Sequence, residues 1–199
     1  MVGMKGPALP PFGEGEVRDG FKFRGGSLPL DFAATVAGRL RAEPKELLQE
    51  PDDLARWLVA AGLATKKLKV STEELEQARA LREALYRLAL ARADGQRLPE
   101  KDRASLNRFA EGATPAPRLD HEGVTWPHAS VPQLLAMIAR TGVELLGGAL
   151  RDRIRHCSGE GCALLFVDTS RSGHRKWCSM AGCGNRAKVA SFRERNRDA

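Results

Sequence analysis

The four cysteines of this chain constrain it more than any other feature. All of them fall inside one window of 27 residues, as Cys157-x4-Cys162, then fifteen residues, then Cys178-x4-Cys183. Two close pairs with a moderate gap suit a tetrahedral ion, because each pair can curl into a knuckle whose sulfurs reach one metal at about 2.3 Å. Four thiolates select zinc, with iron the less favoured choice. CSGEGC carries Gly159 and Gly161, and CSMAGC carries Gly182, where a backbone turning toward a metal benefits from permissive torsions. Disulfides are the competing use, but they belong to oxidising compartments, and the sequence shows no export signal. His156 and His174 lie near enough to substitute as ligands, although four cysteines already complete the set. A completed set leaves no open position for water or substrate, so the expectation is one structural Zn2+ per chain and not a zinc enzyme.

Between the pairs, ALLFVDTSRSGHRKW offers two strand-like ends, LLFVD and HRKW, around the turn residues Thr169 to Gly173. Beyond the second pair, GNRAKVASFRER has no breaker past Gly184 and reads as a helix. A knuckle, a hairpin, and a second knuckle opening a helix make a treble-clef arrangement.

The rest of the chain reads as mostly helical. PDDLARWLVAAGL predicts a short amphipathic helix capped by Asp52 or Asp53 and ending near Gly62. Ser71 with Glu74 forms a capping box, and Leu75, Ala78, Leu81, Leu85 and Leu88 continue a helical stripe to the stop at Asp94-Gly95. Pro99 opens another helix running to about Gly112. RLDHEGVTWPHA reads as a small hairpin about Glu122-Gly123, and VPQLLAMIARTGVELLGGAL as a further helix with Leu134, Ile138, Thr141, Leu145 and Ala149 on one face. FKFRGGSLPLDFAATV suggests a strand, a turn, and a second strand or short helix. The predicted fold class is therefore α+β: a mostly helical N-terminal domain with a few short strands, residues 21–150, followed by a small treble-clef-like four-cysteine zinc finger, residues 151–199. Residues 1–20, eight of them Gly or Pro, read as an unfolded start with no apolar signal core. The longest strongly apolar run, LLAMIA, is far short of the roughly 20 residues a membrane span needs, so a cytoplasmic protein with no membrane partner is expected.

Charge separates the two parts. The chain carries 32 Lys or Arg and 25 Asp or Glu, and eleven of the basic residues against five of the acidic ones lie in residues 151–199. That places +6 of the net +7 in the last quarter, a pattern that suits a polyanion partner. Four thiolates on a divalent ion carry a net charge of about −2, so the finger's field is nearer +4 and remains basic.

The runs FVDTSRSGHRKWC and CSMAGCGNRAKVASFRER resemble the CGNR-type zinc finger, whose name stands here as Cys183, Gly184, Asn185 and Arg186. That finger usually follows an ABATE domain, and GGSLPLDFAAT at residues 25–35 is similar to the opening of that domain. The family commonly has Asn before the Thr, where this chain has Ala34. The resemblance implies a transcription regulator, often labelled stress-related, with DNA binding ascribed to the finger. Its first domain would bind a small-molecule effector or form a homodimer.

On the final helix, Cys183, Ala187 and Ala190 share a face expected to pack on the hairpin and metal. Arg186, Arg193 and Arg197 form one flank, and Lys188 with Arg195 another. Two basic flanks suit insertion into the major groove, with Arg171, Arg175 and Lys176 of the hairpin adding phosphate contacts and Asn185 and Arg186 nearest the bases. The bland alternatives are that Asn185 caps backbone groups, that Arg186 pairs with Asp168, and that Val189 and Phe192 pack on the first domain or a second subunit. The rival function is an interaction module in which the finger docks a protein or mediates self-association. RNA binding is less favoured, since Phe166, Trp177 and Phe192 are the only aromatic platforms in the basic segment.

Overall fold

The computed structural model describes residues 16–121 and 123–196. It opens with an antiparallel hairpin, β1 (Glu16–Arg18) and β2 (Phe21–Phe23). Asp19 and Gly20 turn it with φ of 47° and 81°, a two-residue Asp-Gly turn whose positive torsions match the twist of the strands. Residues 16–20, which composition assigns to the unfolded start, are thus a strand and a turn, because Phe21 and Phe23 alternate into the core and hold the hairpin there. Residues 1–15 of that expected start lie outside the described residues.

The chain then forms α1 (Leu28–Ala33), buried over its whole length, and a two-residue ribbon of β3 (Val36–Ala37) with β4 (Lys45–Glu46). Helix α2 (Pro51–Ala60) follows. Its N-cap is Glu50 rather than Asp52 or Asp53: Pro51 takes the first turn, and the Asp53 carboxylate reaches back to accept the amides of Gln49 at 2.8 Å and Glu50 at 3.0 Å. In α3 (Thr72–Ala93) the expected capping box is present, with Ser71 Oγ accepting from the Glu74 amide at 3.1 Å and the Glu74 carboxylate from the Ser71 amide at 2.8 Å. The helix stops at Asp94-Gly95, where Gly95 has φ +65°. Helix α4 (Glu100–Glu111) begins after Pro99, β5 (Arg118–Leu119) and β6 (Val124–Thr125) form the expected hairpin, and α5 (Val131–Gly147) completes the helical set.

Helix α3 is the axis of the body: α1, α2, α4 and α5 all pack around it. Its stripe of Leu75, Leu81, Leu85 and Leu88 is fully buried, each such side chain contributing about 1.5–3 kcal/mol of burial. Gly142 lets α5 lie close, since a Cβ there would come within 2.5 Å of Leu85 Cδ2. One cation sits in this apolar setting. Arg82, 4% exposed, donates to both Glu46 oxygens at 2.6 and 2.7 Å and through Nε to Glu83 at 2.9 Å. Glu83 also receives both terminal nitrogens of Arg39 at 2.8 Å. Burial alone would raise the carboxyl of Glu46, but the hydrogen bonds from Arg82 and the Leu48 amide outweigh it and hold it below its ordinary range.

The finger begins with β7 (Ile154–His156), which pairs antiparallel with β8 (Leu165–Val167). This corrects the expected hairpin: LLFVD pairs backward with IRH across the first knuckle, and residues 174–177 are not a strand. The reason lies in the two faces of the ribbon. Ile154, Leu165 and Val167 join the core of the helical body, while Phe166, between them on β8, turns to the cysteines. The Val167 amide donates to the Gly25 carbonyl at 2.8 Å, adding a backbone link to the body. The boundary at residues 150 and 151 is therefore a boundary in sequence and not in packing. Helix α6 (Asn185–Arg195) ends the described chain, and none of its residues is buried. No helix among the described residues is long and apolar enough to cross a membrane.

Candidate functional site

The first cysteine pair sits at the tip of the β7–β8 ribbon. Cys157 extends the ladder by donating its amide to the Leu164 carbonyl at 2.9 Å, and Cys162 closes the turn by donating to the Gly159 carbonyl at 2.9 Å. Gly161 has the positive φ expected of a knuckle, +63°. Gly159 is needed for space instead: a Cβ there would meet Cys183 Cβ and Sγ at 2.9 Å, so the two knuckles close against a bare backbone. Of the second pair, Cys178 precedes and Cys183 lies on a widened helical turn, Met180–Gly184, where Ser179 Oγ accepts from the Gly182 amide at 3.1 Å and the Gly184 amide donates to the Ser179 carbonyl at 3.0 Å.

All four sulfurs lie within 4.8 Å of one another. Cys178 Sγ and Cys183 Sγ are 3.7 Å apart, which fits the edge of about 3.8 Å of a tetrahedron with bonds of about 2.3 Å. Cys157 Sγ accepts the amides of Gly159 at 3.4 Å and Cys178 at 3.3 Å, and Cys183 Sγ accepts from Arg186 at 2.9 Å. Donors aimed at sulfur stabilise thiolates and tune a metal site. As bare thiols the group cannot all ionise. Hydrogen bonds from Cys162 and Cys178 hold Cys157 far below the usual thiol range, while the bond to Cys157 pushes Cys162 up to about 11 and Cys178 higher still. A cation at the centre would let all four ionise together, and the four sulfurs could hold one through soft donors alone. His156 faces Asp94 at 3.7 Å, and His174 is exposed.

The basic residues divide differently from the expectation. Arg171, Lys176, Arg186, Lys188, Arg193 and Arg195 are exposed, as is Asn185, whereas Arg197 lies outside the described residues. Arg175 is committed inward: its guanidinium donates to the carbonyls of Trp177 and Cys178 and lies 4.8 Å from the centre of the Phe166 ring. It holds the second knuckle rather than facing a ligand. Arg186 pairs with the Cys183 sulfur and not with Asp168. Asp168, fully buried, accepts from the Ser170 amide and hydroxyl at 2.9 and 2.6 Å and from the Arg175 amide at 2.9 Å. Burial would raise its carboxyl, but these bonds win and hold it below the usual range. Ala190 is exposed and Ala187 half-buried, so the expected packed face of α6 shrinks to its first turn. Val189 and Phe192, 40% and 57% exposed, do not pack on the body.

Sequence reading missed the contribution of the body to this site. Lys22, Arg24, Arg41, Glu43 and Lys45, from β2 and the β3–β4 ribbon, line a cleft against Cys162, Cys178, Cys183 and Arg186. Their only sequence signal is a local excess of basic residues over one acid, far from the cysteines in the chain. Ala34 is the C-cap of α1 and helps line a small cavity with Tyr86 and Leu164.

The profile of the ABATE family, described as "Putative stress-induced transcription regulator", matches residues 26–149, and that of the CGNR zinc finger matches residues 153–196. No curated protein matches the chain.

Proposed function

Since the chain belongs to the ABATE family and carries a CGNR zinc finger, we propose that it is a transcription regulator whose finger binds double-stranded DNA and holds one structural Zn2+. Cys157, Cys162, Cys178 and Cys183 would hold the ion, which when bound supplies a fixed charge centre that clamps the second knuckle to the first. The observation that carries the reading is α6 itself. Eleven residues long, it spans about 16 Å, stands clear of the body, and exposes Arg186, Lys188, Arg193 and Arg195 against one acid, Glu194. An uncovered basic helix of that size fits a major groove about 12 Å wide, with Lys188 and Arg195 meeting one wall of phosphates and Arg186 and Arg193 the other. Arg171 and Lys176 extend the same field from the neighbouring loop, and Asn185, at the helix start, is the residue best placed to approach a base edge.

The test is titration of the zinc-loaded chain with a random-sequence duplex at several salt concentrations. Affinity should fall by about 0.9 decades per decade of salt for each phosphate contacted, and replacing Lys188 and Arg193 by Gln should lower that slope by about two contacts. No binding at low salt rejects the reading.

A second reading, self-association through the finger, draws on the exposed Val189 and Phe192, one helical turn apart, and on the exposed Met180. Phe192→Ser separates the two: it reduces oligomer size if α6 is an assembly surface and leaves size unchanged if α6 reads DNA.

A further inference from the structure

The cleft between the body and the cysteine cluster has a composition that metal binding does not explain. Its walls bring together Lys22, Arg24, Arg41, Lys45 and Arg186 against one acid, Glu43, around a cavity of about 260 Å³. A tetrathiolate site with a divalent ion offsets only about two of those charges, which leaves a surplus of about two positive charges in one concave space. Arginines of the helical body are typically held: Arg39 by Glu83, Arg56 by Asp19, Arg82 by Glu46, Arg87 by Asp102. Here Arg24 Nε is buried with no hydrogen-bond partner among the described residues; Arg39 Nε is too, but Glu83 holds the rest of that guanidinium, whereas no acid pairs with Arg24 among the described residues. Such a donor costs about 1–3 kcal/mol unless something accepts from it. The backbone is cleared to seat these side chains. A Cβ on Gly182 would come within 3.0 Å of Arg24 Nη1, and one on Gly161 within 3.3 Å of Arg41 Cγ and Nε.

We propose that this cleft is a binding site for a small phosphorylated anion, seated between Arg24 and Arg41 of the body and Arg186 of the finger. Planar guanidinium forks match phosphate oxygens, and Lys22 and Lys45 at the exposed rim supply steering charge. A cavity of about 260 Å³ has room for a small molecule and not for a duplex. Because the site joins the body to the residue that donates to Cys183, occupancy would fix the finger against the body. This inference does not rest on duplex binding: Arg24 and Arg41 have no part in the proposed DNA surface, and Arg186 is the one residue the two share.

The experiment is calorimetric titration of the zinc-loaded full chain with pyrophosphate at low salt, with metal content measured on every variant. Expected results are saturable binding at one per chain, at least a tenfold loss in the Arg24→Gln, Arg41→Gln double variant with metal retained, and no change in Arg108→Gln, a surface arginine remote from the cleft in sequence. Should the double variant lose its metal, Glu43→Gln decides, because removing the lone acid should tighten binding severalfold, and unchanged affinity overturns the proposal. It is equally overturned by an absence of saturable binding, by an equal loss in Arg108→Gln, or by a short duplex displacing pyrophosphate one for one, which would assign the cleft to the nucleic-acid backbone.

Discussion

In the helical body, large apolar side chains fix the structure. Trp57, Phe23, Phe32 and, on α3, Leu75, Leu81, Leu85 and Leu88 are sealed from water, and even the charged Arg82 is tied on every side. Past Val167 the buried side chains are Asp168, Cys178, Ser179 and Cys183, and shape there is set by hydrogen bonds and by sulfur. The difference teaches where each region spends its stability. The body has a core of its own, whereas the second knuckle and α6, an 11-residue helix with no buried face, have none and would rely on a bound metal, because a helix that short is marginal alone.

Removing the metal is the strongest way to break the comparison. Chelation, or Cys178→Ser, should unfold residues 178–196 while leaving the body and the β7–β8 ribbon protected, since that ribbon belongs to the larger core. Structural zinc sites are worth about 10–16 kcal/mol, so hydrogen exchange should show near-complete loss of protection in that segment. Loss of protection across α3 as well would mean that the two regions are one cooperative unit. The reverse experiment is Leu85→Ala, which should cost the body about 2–5 kcal/mol in denaturant melts with the metal stoichiometry unchanged.

Removing Arg82 as Arg82→Met should cost about 2 kcal/mol, somewhat less than a fully buried pair because Glu46 keeps partial contact with water. For Asp168 the sign is set by its depressed carboxyl. Its stabilisation is complete above the ordinary carboxylate range and is lost as pH falls through the lower folded value, and Asp168→Asn should remove about 1.5–3 kcal/mol of it near neutrality and flatten the acid limb of the melting profile. The smallest effect sharpens the contrast: Lys188→Gln should change stability by less than about 0.5 kcal/mol while weakening duplex affinity measurably at low salt.

The parts legible in the sequence were those with local signals. Ser71, Glu74 and the α3 stripe mark a helix within one window, and the cysteine spacing marks the metal site without tertiary information. The β7–β8 pairing was obscured because its partners flank the first knuckle, although the alternation in Ile154, Arg155 and His156 carries a weak period-two signal. Glu50 was hidden as an N-cap by the two more typical candidates after Pro51. Arg175 could not be told from its exposed neighbours Arg171 and Lys176, since its partners are backbone carbonyls and an aromatic ring that only folding brings near. The cleft cations of the body, Lys22, Arg24, Arg41 and Lys45, lie more than a hundred residues from the cysteines they approach, beyond the reach of any spacing rule.

The freedom of α6 from the rest of the molecule has an evolutionary consequence. Every position from Lys188 to Arg195 can change its side chain without disturbing a core, so selection on what this part of the helix recognises and selection on whether the chain folds act on separate sets of residues. Related chains could therefore diverge in target while sharing one scaffold, and the drift should concentrate past the first turn of the helix and spare the segment from Met180 to Arg186 that launches it and donates to Cys183.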